Sequence, residues 1–247
     1  MAFFAHFDLD LVSALAEQLV EAFAKLDDGA LTMEHIAQVP AERGVYQLFR
    51  NSQLVYVGKA ENLRSRLTQH RRKITGRHNI DVSEISFKCL TVPKNWTPLA
   101  HEETLIKHYK TKQGICEWNG NGFGPHDPGR ERDTTNKPPE GFDSQFPIRE
   151  EWPCRTIKGG VWNAGELLVE MKEQLPYLLR YDTKHDDYKK MNVHVPKAGM
   201  AAIELMRLIT ATLPGWQSTL FPSHMILYKE KRVYPQGAII WQQPVKS

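Results

Sequence analysis

Residues 44–70 read GVYQLFRNSQLVYVGKAENLRSRLTQH. Gly44–Phe49 and Leu54–Val57 are two short runs of branched and aromatic residues, and Asn51-Ser52 between them is a turn signal. Such a pair predicts a β-hairpin, with Gly58 ending the second strand. Glu61 to Ile74 then predicts a helix with Leu63, Leu67 and Ile74 on one side. Arg66 and His70 are four residues apart and share a helix face that begins just past the Gly58 turn. In the hairpin, Tyr46 and Tyr56 sit where their hydroxyls can converge at one end of the sheet. Tyrosine is an ordinary strand residue on its own. A tyrosine pair, a glycine turn and an Arg/His helix in that order form a constellation with chemistry in it.

Working outward, Asp8 can cap a helix that runs to about Leu26, with Leu11, Leu15, Leu19 and Phe23 at four-residue spacing and Asp27-Asp28-Gly29 stopping it. A linker containing Pro40 leads to the hairpin. Ile85–Val92 alternates and predicts a third strand, and Leu99–Tyr109 predicts a helix. Residues 118–143 are rich in Gly, Pro, Asn and Asp and predict a long loop, a length that points to function or disorder. Downstream, helices are expected over Gly165–Leu179, interrupted near Pro176, and over Gly199–Leu213, with final strands at Met225–Tyr228 and Ala238–Trp241. The charged run 182–190 is a candidate boundary. The expected organisation is an N-terminal helix and linker (1–43), a catalytic domain (44–180) and a C-terminal extension (181–247).

Composition sets the class. With 41% hydrophobic and 25% charged residues among 247, the chain is expected to be globular with a sizeable core. No apolar run is long enough to cross a membrane, and MAFFAHFDLDLV carries acids and no basic start, so neither a membrane segment nor a signal peptide is expected. Cys89, Cys116 and Cys154 are far apart and form no CxxC pair, which excludes a zinc ribbon and fits a reducing cytoplasm. The net charge of +3 says little, but Lys59, Arg64, Arg66, Arg71, Arg72, Lys73 and Arg77 are seven bases against the single acid Glu61 over 59–77. A local cluster of this kind attracts a phosphate backbone even in a nearly neutral protein, although a solvated helix face shows the same excess.

GVY…YVG followed by LRSRLTQH resembles the signature of the GIY-YIG nuclease superfamily, with valine for isoleucine at both positions. The resemblance spans about residues 5–180. It implies an α+β fold: a small three-stranded antiparallel sheet flanked by helices, preceded here by an N-terminal helix and followed by a C-terminal α/β extension. His101-Glu102-Glu103 resembles the family's helix bearing one metal-binding glutamate. Glu102 shares a face with Leu105, Ile106 and Tyr109, whereas Glu103 aligns with Lys107 and Lys110, so Glu102 is the expected ligand. Asn119 matches the family's asparagine, with Asn121 as competitor. Residues 122–130 (GFGPHDPGR) resemble a glycine-rich stretch of GIY-YIG type II restriction endonucleases that cut GC-rich palindromes.

The resemblance implies a metal-dependent endonuclease acting on double-stranded DNA, without a nucleotide cofactor and as a homodimer with one site per strand. Tyr46 is implied as general base, its pKa lowered by Lys59, with His70 as the alternative base. Arg66 would bind the scissile phosphate, Tyr56 and His70 would contact phosphate or nucleophile, and Glu102 would hold one Mg²⁺ or Mn²⁺. Arg64, Arg71, Arg72, Lys73 and Arg77 are expected to hold flanking backbone, and Arg130 and Arg132 to reach bases. The rivals are a less specific nuclease of defence, repair or a mobile element, and a DNA-binding module without catalysis.

Overall fold

The computed structural model describes residues 3, 11–93, 116–124 and 129–242. Asp8, the helix expected over Leu99–Tyr109 with Glu102 and Glu103, and the stretch 125–128 lie outside the described residues. The described chain divides into two compact units: 11–71, 81–93 and 116–124 in the first, and 72–80 and 129–242 in the second. Among the described residues no helix is long and apolar enough to cross a membrane.

The first unit is built on the hairpin. Strands β2 (Gly44–Arg50) and β3 (Gln53–Ala60) pair antiparallel, with Tyr46 opposite Gly58 and Leu48 opposite Tyr56. Asn51 and Ser52 both take left-handed backbone, with φ of 48° and 65°. That is the mirror-image turn whose twist matches the strands it joins. Strand β4 (Ile85–Thr91) pairs with the other edge of β2, setting Tyr46 opposite Cys89. A two-residue strand β1 (Gly29–Ala30) completes a four-stranded antiparallel sheet in the order β1-β4-β2-β3. It is one strand more than expected, because two residues carry no alternation to read. The expected linker likewise holds a short helix α2 (Met33–Gln38), capped by the Thr32 hydroxyl on His35 N–H.

Residues 44–48 of β2 are buried without interruption, so both sheet faces are covered. On one face α1 (Leu11–Ala24) packs Leu19 and Phe23 with Val45, Leu54 and Val57. The other face carries the tyrosines and meets helix α3 (Leu63–Thr75). The buried positions of α3 are Leu63, Leu67, His70 and Ile74, a stripe at helical spacing. Gly44 is the tight point: a side chain there would meet the Leu90 carbonyl and the Leu63 side chain.

In the second unit, β6 (Leu178–Tyr181), β8 (Gln217–Leu220), β9 (His224–Tyr228) and β10 (Ala238–Gln242) form a sheet in the order β10-β8-β9-β6, with β6 parallel to β9. Strands β5 (Gly160–Asn163) and β7 (Asn192–Val195) pair separately. Helices α4 (Ala164–Gln174) and α5 (Ala202–Thr212) bury Leu167, Leu168, Met171, Leu205, Met206 and Ile209 in a single core with Met225 and Leu227.

This core corrects the expected boundary at 180/181. The helix begun near Gly165 ends at Gln174, and after Pro176 the chain becomes β6, whose partner β9 lies on the far side of that boundary. The charged run 182–190 is inside the unit: Tyr188 is buried and Asp187 accepts the Trp216 indole N–H at 2.9 Å. The expected loop 118–143 contains helical turns at Glu131–Thr134 and Phe142–Gln145.

Candidate active site

Four of the expected residues meet on one face of the first unit. Tyr46 is fully buried, and its hydroxyl lies 2.7 Å from His70 Nε2. Arg66 Nε donates to the same oxygen at 3.2 Å. A phenol has one proton and two lone pairs. Its oxygen can therefore accept from Arg66 and, according to the tautomer of His70, either donate its proton to Nε2 or accept from it. His70 sits on the apolar stripe of α3 with 2% exposure, where an imidazole needs a partner; Tyr46 supplies it. The rings of Tyr46, Tyr56 and His70 are 5.4–6.0 Å apart, centre to centre.

Gly58 explains the glycine after the second tyrosine. It lies opposite Tyr46 in the sheet, and a Cβ there would come 2.4 Å from the Tyr46 hydroxyl and 2.7 Å from Tyr56 Cε1. The Tyr46 ring thus lies across the space a side chain would fill. Gly58→Ala is expected to push the phenol off His70 and Arg66. Overpacking of this kind costs about 1–3 kcal/mol. Activity should fall far more than thermal stability, as single-turnover cleavage and a melting curve on the same protein would show.

Two expectations fail here. Lys59 is opposite Val45 in the register, so it projects from the α1 face of the sheet, away from Tyr46. A shift of one residue along a strand reverses the face. Nor is the Tyr46 pKa lowered. Burial pushes it well above the ordinary phenol value, the Tyr56 ring adds to the rise, and the Arg66 guanidinium opposes it without winning. Arg66 gains from the same contact, its own pKa raised by the two tyrosines despite partial burial.

Asn119 is buried and makes a paired contact with the backbone of Val57: its Nδ2 donates to the Val57 carbonyl at 2.8 Å and its Oδ1 accepts the Val57 N–H at 2.9 Å. Trp118 N–H donates to the Val55 carbonyl at 3.0 Å. The segment 116–119 therefore covers the outer edge of β3, and Asn119 positions that strand. Two residues found by no sequence pattern complete the wall. Phe123 stacks on His70 at 4.7 Å and 14°, meets Tyr56 edge-on at 5.0 Å, and touches Trp118 at 4.8 Å. Gly120 and Gly122, both at positive φ, turn the chain that carries it. The glycine-rich composition was the visible signal, but it marks the turn and not the ring.

The expected DNA contacts divide. Arg64 is exposed, with Nε on the Val39 carbonyl at 2.8 Å, and Arg130 is exposed with its guanidinium 4.2 Å over the Tyr228 ring. Arg71 is half-buried. Arg72 donates to the carbonyls of Glu173 and Leu175, closing the end of α4. Arg77, at 2% exposure, is no surface contact: it is held by Asp143 and the carbonyls of Phe146 and Pro222. Lys73 lies 5.1 Å over the Phe142 ring in the same cluster. Arg132 donates to Asp143 at 2.6 Å and Ser223 at 3.3 Å, so its fork is not presented to a base.

The meeting side chains are two phenols, a guanidinium and an imidazole. A divalent cation needs hard oxygen ligands, so its carboxylate has to come from elsewhere, and Glu102 lies outside the described residues. Among the described residues, His78, Glu150 and Glu151 have ligand atoms within 4.8 Å of one another in the second unit. His78 Nε2 lies 3.2 Å from a Glu150 carboxylate oxygen and 3.5 Å from one of Glu151.

Comparison with known proteins shows what part of the chain is similar to. Residues 47–153 match the family model of the Eco29kI GIY-YIG domain. UvrABC system protein C of Chlorobium phaeobacteroides is 31% identical over 93 residues, covering 35% of this chain and 15% of that protein. The same-named protein of Helicobacter pylori is 33% identical over 95 residues, covering 34% of this chain and 16% of its own length. The chain thus spans a small part of these relatives. Residues 47–153 are thus similar to a GIY-YIG domain, and the mixed helix and antiparallel-sheet architecture of the first unit agrees with that likeness.

Proposed function

We propose that the chain is a divalent-metal-dependent endonuclease that hydrolyses phosphodiester bonds in double-stranded DNA, working as a homodimeric, site-specific type II restriction enzyme of the cytoplasm. The observation that carries the nuclease reading is the shared hydrogen bonding of one buried phenol, Tyr46, by His70 and Arg66. The finer reading rests on the match to the Eco29kI domain and on the glycine-rich segment that supplies Phe123.

In this mechanism Tyr46 relays a proton. Its oxygen takes the proton of the attacking water as its own proton passes to His70 Nε2, so no free phenolate has to persist in a buried site. Arg66 stays at the phenol oxygen through the transfer and stabilises the charge developing on the phosphate. Tyr56, edge-on to both His70 and Phe123, orients the nucleophile side of the site. Glu102 would hold Mg²⁺ or Mn²⁺, which supplies charge at the leaving oxygen. Arg64 and Arg71 position the backbone, and Arg130 is the candidate base reader.

Glu102→Gln is expected to abolish cleavage and spare DNA binding, while Glu103→Gln stays near wild type. A Glu102→Gln protein that cuts at the wild-type rate would remove Glu102 from the site. For specificity the test is plasmid digestion: discrete fragments support a restriction enzyme, whereas a smear supports the less specific nuclease.

A further inference from the structure

In the second unit, three atoms that carry lone pairs converge. His78 Nε2 lies 3.2 Å from Glu150 Oε2 and 3.5 Å from Glu151 Oε2, and all three ligand atoms fall within 4.8 Å of one another. Main-chain bonds set them there. Arg77 and Ile148 form an antiparallel bridge, His78 N–H donates to the Pro147 carbonyl at 2.8 Å, and Arg149 N–H donates to the Gly76 carbonyl at 2.9 Å. The Glu150 carbonyl accepts Ile203 N–H at 3.0 Å, and Trp152 N–H closes a turn on the Arg149 carbonyl at 3.1 Å. The chain just past α3 is therefore fixed against residues 148–152 by its backbone, and the three side chains meet as a consequence.

Something positive has to sit among these atoms. A neutral imidazole with its Nε2 lone pair facing two carboxylates would repel both. A proton on Nε2 is one answer, but a single N–H serves one acceptor well, and here two carboxylates share it. Both separations also exceed the about 2.7–2.9 Å of a charge-assisted N–H···O bond. A divalent cation is the other answer. Zinc bonds of about 2.0–2.2 Å to nitrogen and oxygen put the ligand atoms of a tetrahedron about 3.4 Å apart, close to the 3.2 and 3.5 Å found. Two carboxylates and a neutral imidazole also balance the charge of a dication. Among the described residues neither carboxylate has another hydrogen-bond or ion-pair partner. The nearby Arg149 does not answer them, since its Nε donates to the Arg77 carbonyl at 2.6 Å. His78 and Glu151, with side chains 41% and 64% exposed, line a cleft of about 650 Å³ with Arg149, Trp152 and Arg155. A fourth ligand, water or an anion drawn by the two arginines, can enter from that cleft.

We infer that His78, Glu150 and Glu151 form a binding site for a divalent transition cation of the zinc class. The imidazole sets the class, because Mg²⁺ takes oxygen ligands in a near-octahedral shell. The site is thus distinct in chemistry from the one Glu102 would form, and it does not rest on the nuclease reading. By joining residue 78 to residues 150 and 151, the bound ion stabilises the second unit, because it binds the folded chain and not the unfolded one.

The test is Zn²⁺ binding to the chelator-stripped whole chain, without DNA, by equilibrium dialysis against competing Mg²⁺ and by thermal unfolding. The wild type is expected to hold Zn²⁺ in excess Mg²⁺ and to unfold at a higher temperature with it, and Glu102→Gln should keep both effects. His78→Gln, Glu150→Gln and Glu151→Gln should each weaken binding at least about tenfold, since loss of an outer-shell partner alone costs that much, and should lose the thermal shift. Glu151 is the most exposed of the three, so Glu151→Gln decides if the other variants do not fold. Zn²⁺ not held by the wild type, held equally by folded Glu150→Gln and Glu151→Gln, or lost in Glu102→Gln overturns the site. So does a His78→Gln protein that is less stable without metal yet binds Zn²⁺ as the wild type does, which would leave an ion pair alone. No readout needs cleavage, so failure of the nuclease reading leaves the result interpretable.

Discussion

Tyr46→Phe is expected to lower single-turnover cleavage by about 10²–10⁴-fold, the range a positioned proton-transfer group supplies, while leaving the fold and DNA binding intact. Phenylalanine keeps the ring that lies across Gly58 and loses only the oxygen shared by His70 and Arg66. The proton acceptor at the end of this path is the imidazole. Burial raises the Tyr46 pKa, so the phenol is not ionised at neutral pH. His70 must be neutral to accept, so the rate should show an acid limb, falling where the imidazole becomes protonated. Lys59→Met should leave that limb in place, because Lys59 projects from the opposite sheet face. A limb that moves upward in Lys59→Met would restore the lysine to the site.

Arg66→Ala is expected to cost about 10²–10³-fold in turnover, the loss seen when one preorganised donor is removed from a developing charge, about 2.7–4 kcal/mol. Two effects combine. The phosphate loses its cation, and the Tyr46 oxygen loses the donor that opposes the burial-driven rise of its pKa. Arg66→Lys should recover little, because a lysine cannot hold the phenol with one nitrogen and a phosphate with others in a fixed plane. Turnover unchanged in Arg66→Ala, with only binding weakened, would reduce Arg66 to a backbone contact.

The hairpin and α3 were legible because their signals are local. Alternating apolar runs flank an Asn-Ser turn, and Leu63, Leu67 and Ile74 recur at helical spacing. The convergence of Tyr46, Arg66 and His70 follows from that local order. Lys59 was misread because its face depends on register, which a single residue reverses. Phe123 was not readable, since stacking on His70 joins distant parts of the chain with no pattern between them. In the second unit, β8 carries the buried polar run Gln217-Ser218-Thr219 and so lacks a hydrophobic signal. Strand β6 was hidden because Leu178-Leu179 continues the apolar pattern of the preceding helix past Pro176. The bases of 71–77 looked alike in sequence, yet Arg77 is buried on Asp143 while Arg72 closes a helix end.

The most direct test of the central claim is single-turnover cleavage of double-stranded plasmid DNA by the purified chain in Mg²⁺ or Mn²⁺, run beside its Tyr46→Phe variant with DNA binding measured on both. Strand scission by the wild type that stops on chelation, with Tyr46→Phe binding the DNA and leaving it uncut, is the predicted result. DNA left intact by the wild type with every divalent cation tried, or cut equally by both proteins, would contradict it.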